Sequence, residues 1–295
     1  QPIGDKTTKG KQITSGIFEN YSRGLETGRD AWVYNFSHDR AAANAKRMIT
    51  EYNHNVRSGT QNMDPTQISW TSSLTSCWKR EQTIEFDENN IVRSAYRPFC
   101  KQIVYFGGSL SHRMNQLPKL FPTPVHKNLA ISFPGPGAGV GLEGSALMVD
   151  SLMDKTAQAL QLFALYSYEP VELDSDDLLS LIDDPSVVDG YRRKENITKT
   201  TLDSYQALYS DEMIHEEDIF FYVYGLLHSE EYKKNYSSDL AKMLPRIPKV
   251  KDFWGFSSSG RSLAELHLNY ESVEPYPLEE MVKTLLTDEY EMYRV

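Results

Sequence analysis

The spacing of apolar residues divides the chain into stretches of different texture. Residues 1–15 (QPIGDKTTKGKQITS) are polar and without period, as expected of a linker or an extended lead-in. Residues 17–36 mix aromatic and charged positions, which predicts a short helix and a strand. From Asp39, a capping type, the positions Ala42, Ala45, Ile49 and Tyr52 recur on one helical face to about Val56. Ser-Gly and Asp-Pro dipeptides between Ser58 and Thr66 predict a loop. Short β-type runs then take over at Thr83–Phe86, Ile91–Tyr96, Gln102–Phe106, Asn128–Phe133 and Leu162–Tyr168, punctuated by Gly and Pro. Residues 171–200 are acidic and irregular, the texture of a surface insertion. Helical spacing returns after Asp211 with Ile219, Val223, Leu226 and Leu227, and a second helix follows Ser229 with Tyr232, Tyr236, Leu240 and Leu244. A third helix is predicted from about Ser259 to Asn269.

No repeat of fixed period is visible. The expected class is α+β, with a sheet-rich centre over about 68–170 flanked by an N-terminal helix and a C-terminal helical bundle. The expected divisions are a lead-in with its helix over 1–67, a sheet-rich region over 68–170, an acidic insertion over 171–210, and a helical part over 211–295.

Composition narrows the class of protein. The chain has 295 residues, 40% hydrophobic, 12% aromatic and 24% charged, the balance of a soluble globular protein with a sizeable core. No apolar run approaches the roughly 20 residues of a membrane span. The chain opens at Gln1 with no initiator Met or charged-then-apolar leader, and ends at Val295 without an obvious stop. This suits a segment of a longer protein without a secretory signal. The two cysteines, Cys77 and Cys100, cannot build a disulfide framework and lack zinc spacing, so a reducing cytoplasm is expected.

A formal net charge of −10 argues against a polyanionic partner until its distribution is examined. Residues 1–88 hold 11 Lys/Arg and 11 Asp/Glu, and residues 143–295 hold 14 against 30. Residues 89–142 hold six cations, Arg93, Arg97, Lys101, Arg113, Lys119 and Lys127, and no acid at all. DNA binding needs a local positive face, not a positive total. Lys and Arg supply phosphate contacts, while Arg on guanine edges and Asn or Gln on adenine edges read sequence. The segment Ser109–Lys119 (SLSHRMNQLPK) brings His112, Arg113, Asn115 and Gln116 together on a predicted loop. The candidate DNA-binding residues are therefore Arg93, Arg97, Lys101, His112, Arg113, Asn115, Gln116 and Lys119. The plainer alternative is a sheet surface with ordinary solvated cations.

Other chemistries find little footing. The run Phe133–Gly141 (FPGPGAGVG) superficially resembles a glycine loop for S-adenosylmethionine, but two prolines interrupt it and no helix is predicted directly after it. It suits a flexible or DNA-facing loop better. No Pro-Pro dipeptide exists to clamp a flipped base. The seven histidines form no HxH or HExxH pair, and the acidic cluster Asp174, Asp176, Asp177, Asp183 and Asp184 lacks the glycine of a calcium loop. No catalytic residue, metal site or cofactor site is assigned.

Several runs carry a family resemblance: Ile17–Phe36, Phe86–Phe106 with Tyr96-Arg97-Pro98-Phe99, Phe121-Pro122, Asn128–Ile131, and above all Asp218–Pro248 and Phe253–Tyr270. Over these, the chain resembles the C-terminal specificity region of type ISP restriction-modification enzymes. In such proteins one polypeptide joins a nuclease, a helicase-like translocase, an adenine-N6 methyltransferase and a target-recognition domain. The resemblance implies a bacterial or archaeal protein whose partners are double-stranded DNA and the covalently linked methyltransferase and translocase domains, with no membrane. S-adenosylmethionine, ATP and Mg would bind those other domains and not this chain. Two alternatives remain open at this point: a methyltransferase fragment holding S-adenosylmethionine near Gly135–Gly141, and a structural docking module without DNA contact.

Overall fold

A computed structural model describes residues 1–7, 15–135, 146–155, 160–171, 184–211, 213–275 and 277. The expected α+β class is observed, with the sheets contributed mainly by the centre of the chain. The glycine positions after Gly135 and the acids Asp174, Asp176, Asp177 and Asp183 lie outside the described residues.

Three small sheets carry the fold. The first has the order β1 (Ser22–Arg23), β8 (Leu160–Ala164), β5 (Ala130–Pro134) and β6 (Leu147–Val149), antiparallel throughout. In the second, β2 (Tyr34–Asn35), β4 (Cys100–Tyr105) and β3 (Ile91–Arg97) are antiparallel, and β7 (Leu152–Met153) adds in parallel to β3. The third joins β9 (Tyr166–Pro170) to β11 (Tyr191–Glu195) and β10 (Val187–Val188). The predicted strand 162–168 is thus two strands serving two sheets. The break falls at Leu165, whose N–H turns to the Leu129 carbonyl, so the chain leaves β5 and continues against β11. Asn196 secures this corner, donating to the carbonyls of Asn20 (2.9 Å) and Ala164 (2.7 Å) and accepting from the Asn20 N–H (2.9 Å).

The predicted strand Thr83–Phe86 does not form. Its Ile84 exchanges both backbone hydrogen bonds with the Asn53 side chain, which leaves no ladder to join.

Two helices longer than a single turn escape the pattern of predicted elements. The first is α3 (Ser72–Lys79), short, rich in Ser and Thr, and capped by Thr71. The other is α5 (Lys199–Tyr209), capped by Thr198 inside the stretch assigned to an acidic insertion.

The long N-terminal helix, α2 (His38–Ser58), follows α1 (Asp30–Val33) and buries Ala42, Ala45, Ile49 and Tyr52 as expected, together with Ala41, Met48 and Asn55. Its cap is Ser37, whose hydroxyl accepts from the Arg40 N–H. One apolar core lies between α2, α3 and the second sheet. A second packs β5 and β8 side chains, including Ile131, Phe133 and Phe163, against the C-terminal helices α6 (Glu216–His228), α7 (Glu230–Leu240) and α8 (Phe253–Leu268). Nearly every residue of α6 from Asp218 to Leu227 is buried. Two glycines make that depth possible: a Cβ on Gly225 would sit 2.3 Å from the Phe256 carbonyl oxygen, and one on Gly260 2.0 Å from that of Phe221. The α6 and α8 backbones therefore touch. Among the described residues, no helix is long and apolar enough to cross a membrane.

Candidate nucleic-acid interface

One short segment, residues 22–26, organises a cationic concavity lined by Lys6, Arg23 and Lys155. Ser22 and Arg23 pair with Leu162 and Gln161 of β8. Leu25 then takes up parallel backbone bonds with the 153–155 segment, donating to the Met153 carbonyl and accepting from the Lys155 N–H, both at 2.8 Å. On the same stretch, Glu26 exchanges backbone bonds with Arg113, and the Ser22 hydroxyl accepts from the Gln116 N–H at 3.0 Å. Three remote stretches of chain are thus laid alongside one spine.

Their side chains converge on an open groove of about 450 Å³ lined by Lys6, Tyr21, Arg23, Asn115, Gln116, Lys155, Gln161 and Leu244, and bordered by Gly135. Asn115 is exposed and adopts φ +53, the left-handed conformation that Asn tolerates better than most residues. This turn holds Asn115 out while Leu117, the first residue of α4 (Leu117–Leu120), is buried behind it. Arg23 and Arg113 are exposed, and among the described residues neither forms an ion pair. Lys155 does, meeting the Glu26 carboxylate at 2.9 Å. Burial alone would raise the Glu26 pKa, but the hydrogen bond from Lys155, with the nearby charges of Lys155, Arg113 and His112, carries it below the ordinary carboxylate value.

The loop behind the groove is braced from within. Arg29 is buried and donates to the Leu110 carbonyl at 3.0 Å and to the Thr71 hydroxyl at 2.6 Å. Desolvation lowers its pKa to about 10, which leaves a guanidinium charged at neutral pH. His112 approaches the Ser73 hydroxyl through Nδ1 at 3.1 Å and so ties the loop to α3.

The structure separates the eight candidates named from sequence. Asn115 and Gln116 line the groove, and Arg113 lies next to them through its pairing with Glu26. His112 supports the loop from behind, and Lys119 is exposed on α4, close enough to act on the Glu19 carboxyl. The other three lie on the second sheet. Arg93 is exposed on a different groove, of about 970 Å³, beside Asp87, Asp150 and Asp189. Arg97 is bound to buried Asp154 at 3.0 Å and stacks over Tyr96. Lys101 caps the end of α8 through the Leu268 carbonyl (3.2 Å) and pairs with Glu271 (3.4 Å), as a cation at a helix C-terminus should. The acid-free stretch 89–142 therefore does not make one positive face, because β3 and β4 carry Arg93, Arg97 and Lys101 away from the loop of Arg113, and Lys127 lies in the later connection to β5.

Lys6, Arg23, Lys155 and Gln161 went unnoticed in the sequence. Lys6 and Arg23 sit in the charge-balanced stretch 1–88 and Lys155 and Gln161 in the acidic stretch 143–295, and only long-range pairing brings them together.

The fold and this groove define a mixed α+β recognition module with a cationic, polar cleft. Residues 16–295 match the family model of the Type ISP C-terminal specificity domain, and the chain belongs to that family. Members form part of multidomain restriction-modification enzymes. Among solved structures, the chain is similar to the DrdV–DNA complex determined by cryo-electron microscopy (31% identity, TM-score 0.79, covering 94% of this chain and 26% of that one). It is also similar to the ATP-dependent Type ISP restriction-modification enzyme LlaBIII bound to DNA (32%, 0.76, 95% and 17%). A nuclease-deletion mutant of the Type ISP enzyme LlaGI, in complex with a DNA substrate mimic, is similar too (28%, 0.73, 94% and 24%). The chain spans about a quarter or less of the length of these proteins. No curated protein matches it.

Proposed function

We propose that this chain recognises a specific sequence in double-stranded DNA and holds the duplex for adenine methylation and cleavage by other domains of a restriction-modification enzyme. The observation that carries this is the convergence of Arg23, Arg113, Asn115, Gln116 and Lys155 on the 22–26 spine. Cations there would hold phosphates, and amide side chains beside them have the donor–acceptor pairs that match adenine edges. Family membership and DNA-bound neighbours near 30% identity support the same partner.

On this reading, the module gives register and sequence choice. Base extrusion, methyl transfer, ATP use and strand cleavage belong to linked methyltransferase, translocase and nuclease domains, in a cytoplasmic protein. The chain itself holds no S-adenosylmethionine, ATP or Mg. Calorimetry with S-adenosylmethionine should then give no heat. The main test is a titration of the chain with labelled duplexes at rising salt. Binding should fall steeply with salt and one duplex should be preferred; absence of salt-sensitive binding to any duplex, including the parent enzyme's own site, overturns the assignment.

A further inference from the structure

The acidic C-terminal third hides a second basic stretch. Residues 232–251 (YKKNYSSDLAKMLPRIPKVK) hold six cations and the single acid Asp239. Two of the six are occupied within the protein: Lys233 pairs with Glu230, and Lys249 donates to Ser204 and lies over the Tyr205 ring. Lys242 and Arg246 are exposed, and among the described residues neither forms an ion pair.

Arg246 lines a small cavity that adjoins the cationic groove, and Lys242 precedes it by four residues on the same exposed segment. Leu244, between them in sequence, lines that groove and also a small adjoining cavity shared with Arg246. The N-terminal segment gives a second connection. Ile3 donates to the Pro245 carbonyl, Pro2 bridges Arg246, and Ile247 donates to the Gln1 carbonyl. Three residues beyond Ile3, Lys6 lines the groove. Arg246 is therefore carried on a backbone pinned to the segment that leads into the groove, and its position is set by the fold.

We propose that Lys242 and Arg246 form a phosphate-gripping ridge that extends the groove, holding the duplex beyond the base pairs read by the loop at Asn115. The proposal rests on the reading of the groove as a DNA site. It adds a separate, sequence-blind contact on the C-terminal part of the module. The chemistry is that of exposed cations, with Arg246 on a backbone pinned to the N-terminal segment, which suits phosphates. Lys234 is a natural control. It is exposed but stands about 160° around α7 from Tyr232, whose face lines the small cavity with Tyr236 and Leu240.

The test compares the full chain with the variants Lys242→Gln/Arg246→Gln and Lys234→Gln, by fluorescence anisotropy on preferred and scrambled duplexes across a salt series. Far-ultraviolet circular dichroism checks that each is folded; all three side chains are exposed. The double variant should weaken binding to both duplexes by the same factor and reduce the salt slope by about two, roughly one per lost phosphate contact. Lys234→Gln should leave the slope unchanged. An unchanged slope in the double variant, with the wild-type chain binding normally, overturns the ridge and leaves the groove standing. A selective loss on the preferred duplex also overturns it, since the pair would then be reading bases. If the wild-type chain binds no duplex, the groove assignment itself fails and the ridge fails with it.

Discussion

The backbone of Gly24 passes that of Lys155 so closely that a Cβ on the glycine would lie 2.8 Å from the Lys155 Cα and 2.8 Å from the Met153 carbonyl oxygen. Both neighbours are backbone, so neither can swing aside. Gly24→Ala should push the spine away from the 153–155 segment, at about 1–3 kcal/mol of stability. Duplex binding should weaken as Lys155 and Arg23 lose register. Denaturant melts with parallel anisotropy titrations check this; wild-type stability would show that the close approach is not essential.

Asn115 and Gln116 should set sequence preference. Replacing Asn115 with Ala should cost about 1–3 kcal/mol at one base pair if it reads an adenine edge, and little at others. The measurement is relative affinity over a set of singly substituted duplexes. Arg113→Ala, tested on the same set, should relax choice at one position. A uniform loss would make Arg113 a phosphate contact.

Glu26 restrains Lys155, and Glu26→Gln should release it. Affinity for non-preferred DNA should rise and the salt slope should steepen by about one. Because the folded-state pKa of Glu26 lies below its ordinary value, its stabilising contribution is present at neutral pH and is lost as pH falls through that depressed value. The variant should accordingly be less acid-sensitive.

His228 gives a second pH effect with its own window. Burial, then the positive neighbours His267 and Lys233, lower its pKa to about 4, against a small opposing backbone hydrogen bond at Ala146. An unfolded chain takes up the proton near pH 6.5, so between these values the unfolded state binds more protons and stability falls with falling pH. Thermal melts should decline from about pH 6.5 towards 4, and His228→Leu should flatten that slope.

Gly260→Ala should be among the most damaging single changes. The added methyl meets the Phe221 carbonyl oxygen at 2.0 Å inside the α6–α8 contact, where repacking requires the helices to separate. A loss of about 3 kcal/mol, read by chemical denaturation, is expected.

Local pattern carried most of the helices. The apolar stripe of α2 and the aromatic run of α6 are one-dimensional signals, since a helix shows its buried face in its own spacing. Strands at Ile91–Arg97 and Cys100–Tyr105 were legible for the same reason. The failures are those where side chains or distant segments decide. Asn53 takes the hydrogen bonds of a would-be strand at Ile84, and a corner at Leu165 divides one apolar run between two sheets.

The candidate site was half visible. Arg113, Asn115 and Gln116 share one loop, so residue chemistry alone could single them out, and the family likeness lay in contiguous runs such as Asp218–Pro248. Which cations stand together is another matter. Charge along a chain says nothing of facing direction, and only the folded arrangement turned Arg97 and Lys101 towards Asp154 and Glu271. That same arrangement brought Arg23, Lys155 and Gln161 from separate stretches to the loop, through backbone pairing of a five-residue segment too short to announce itself.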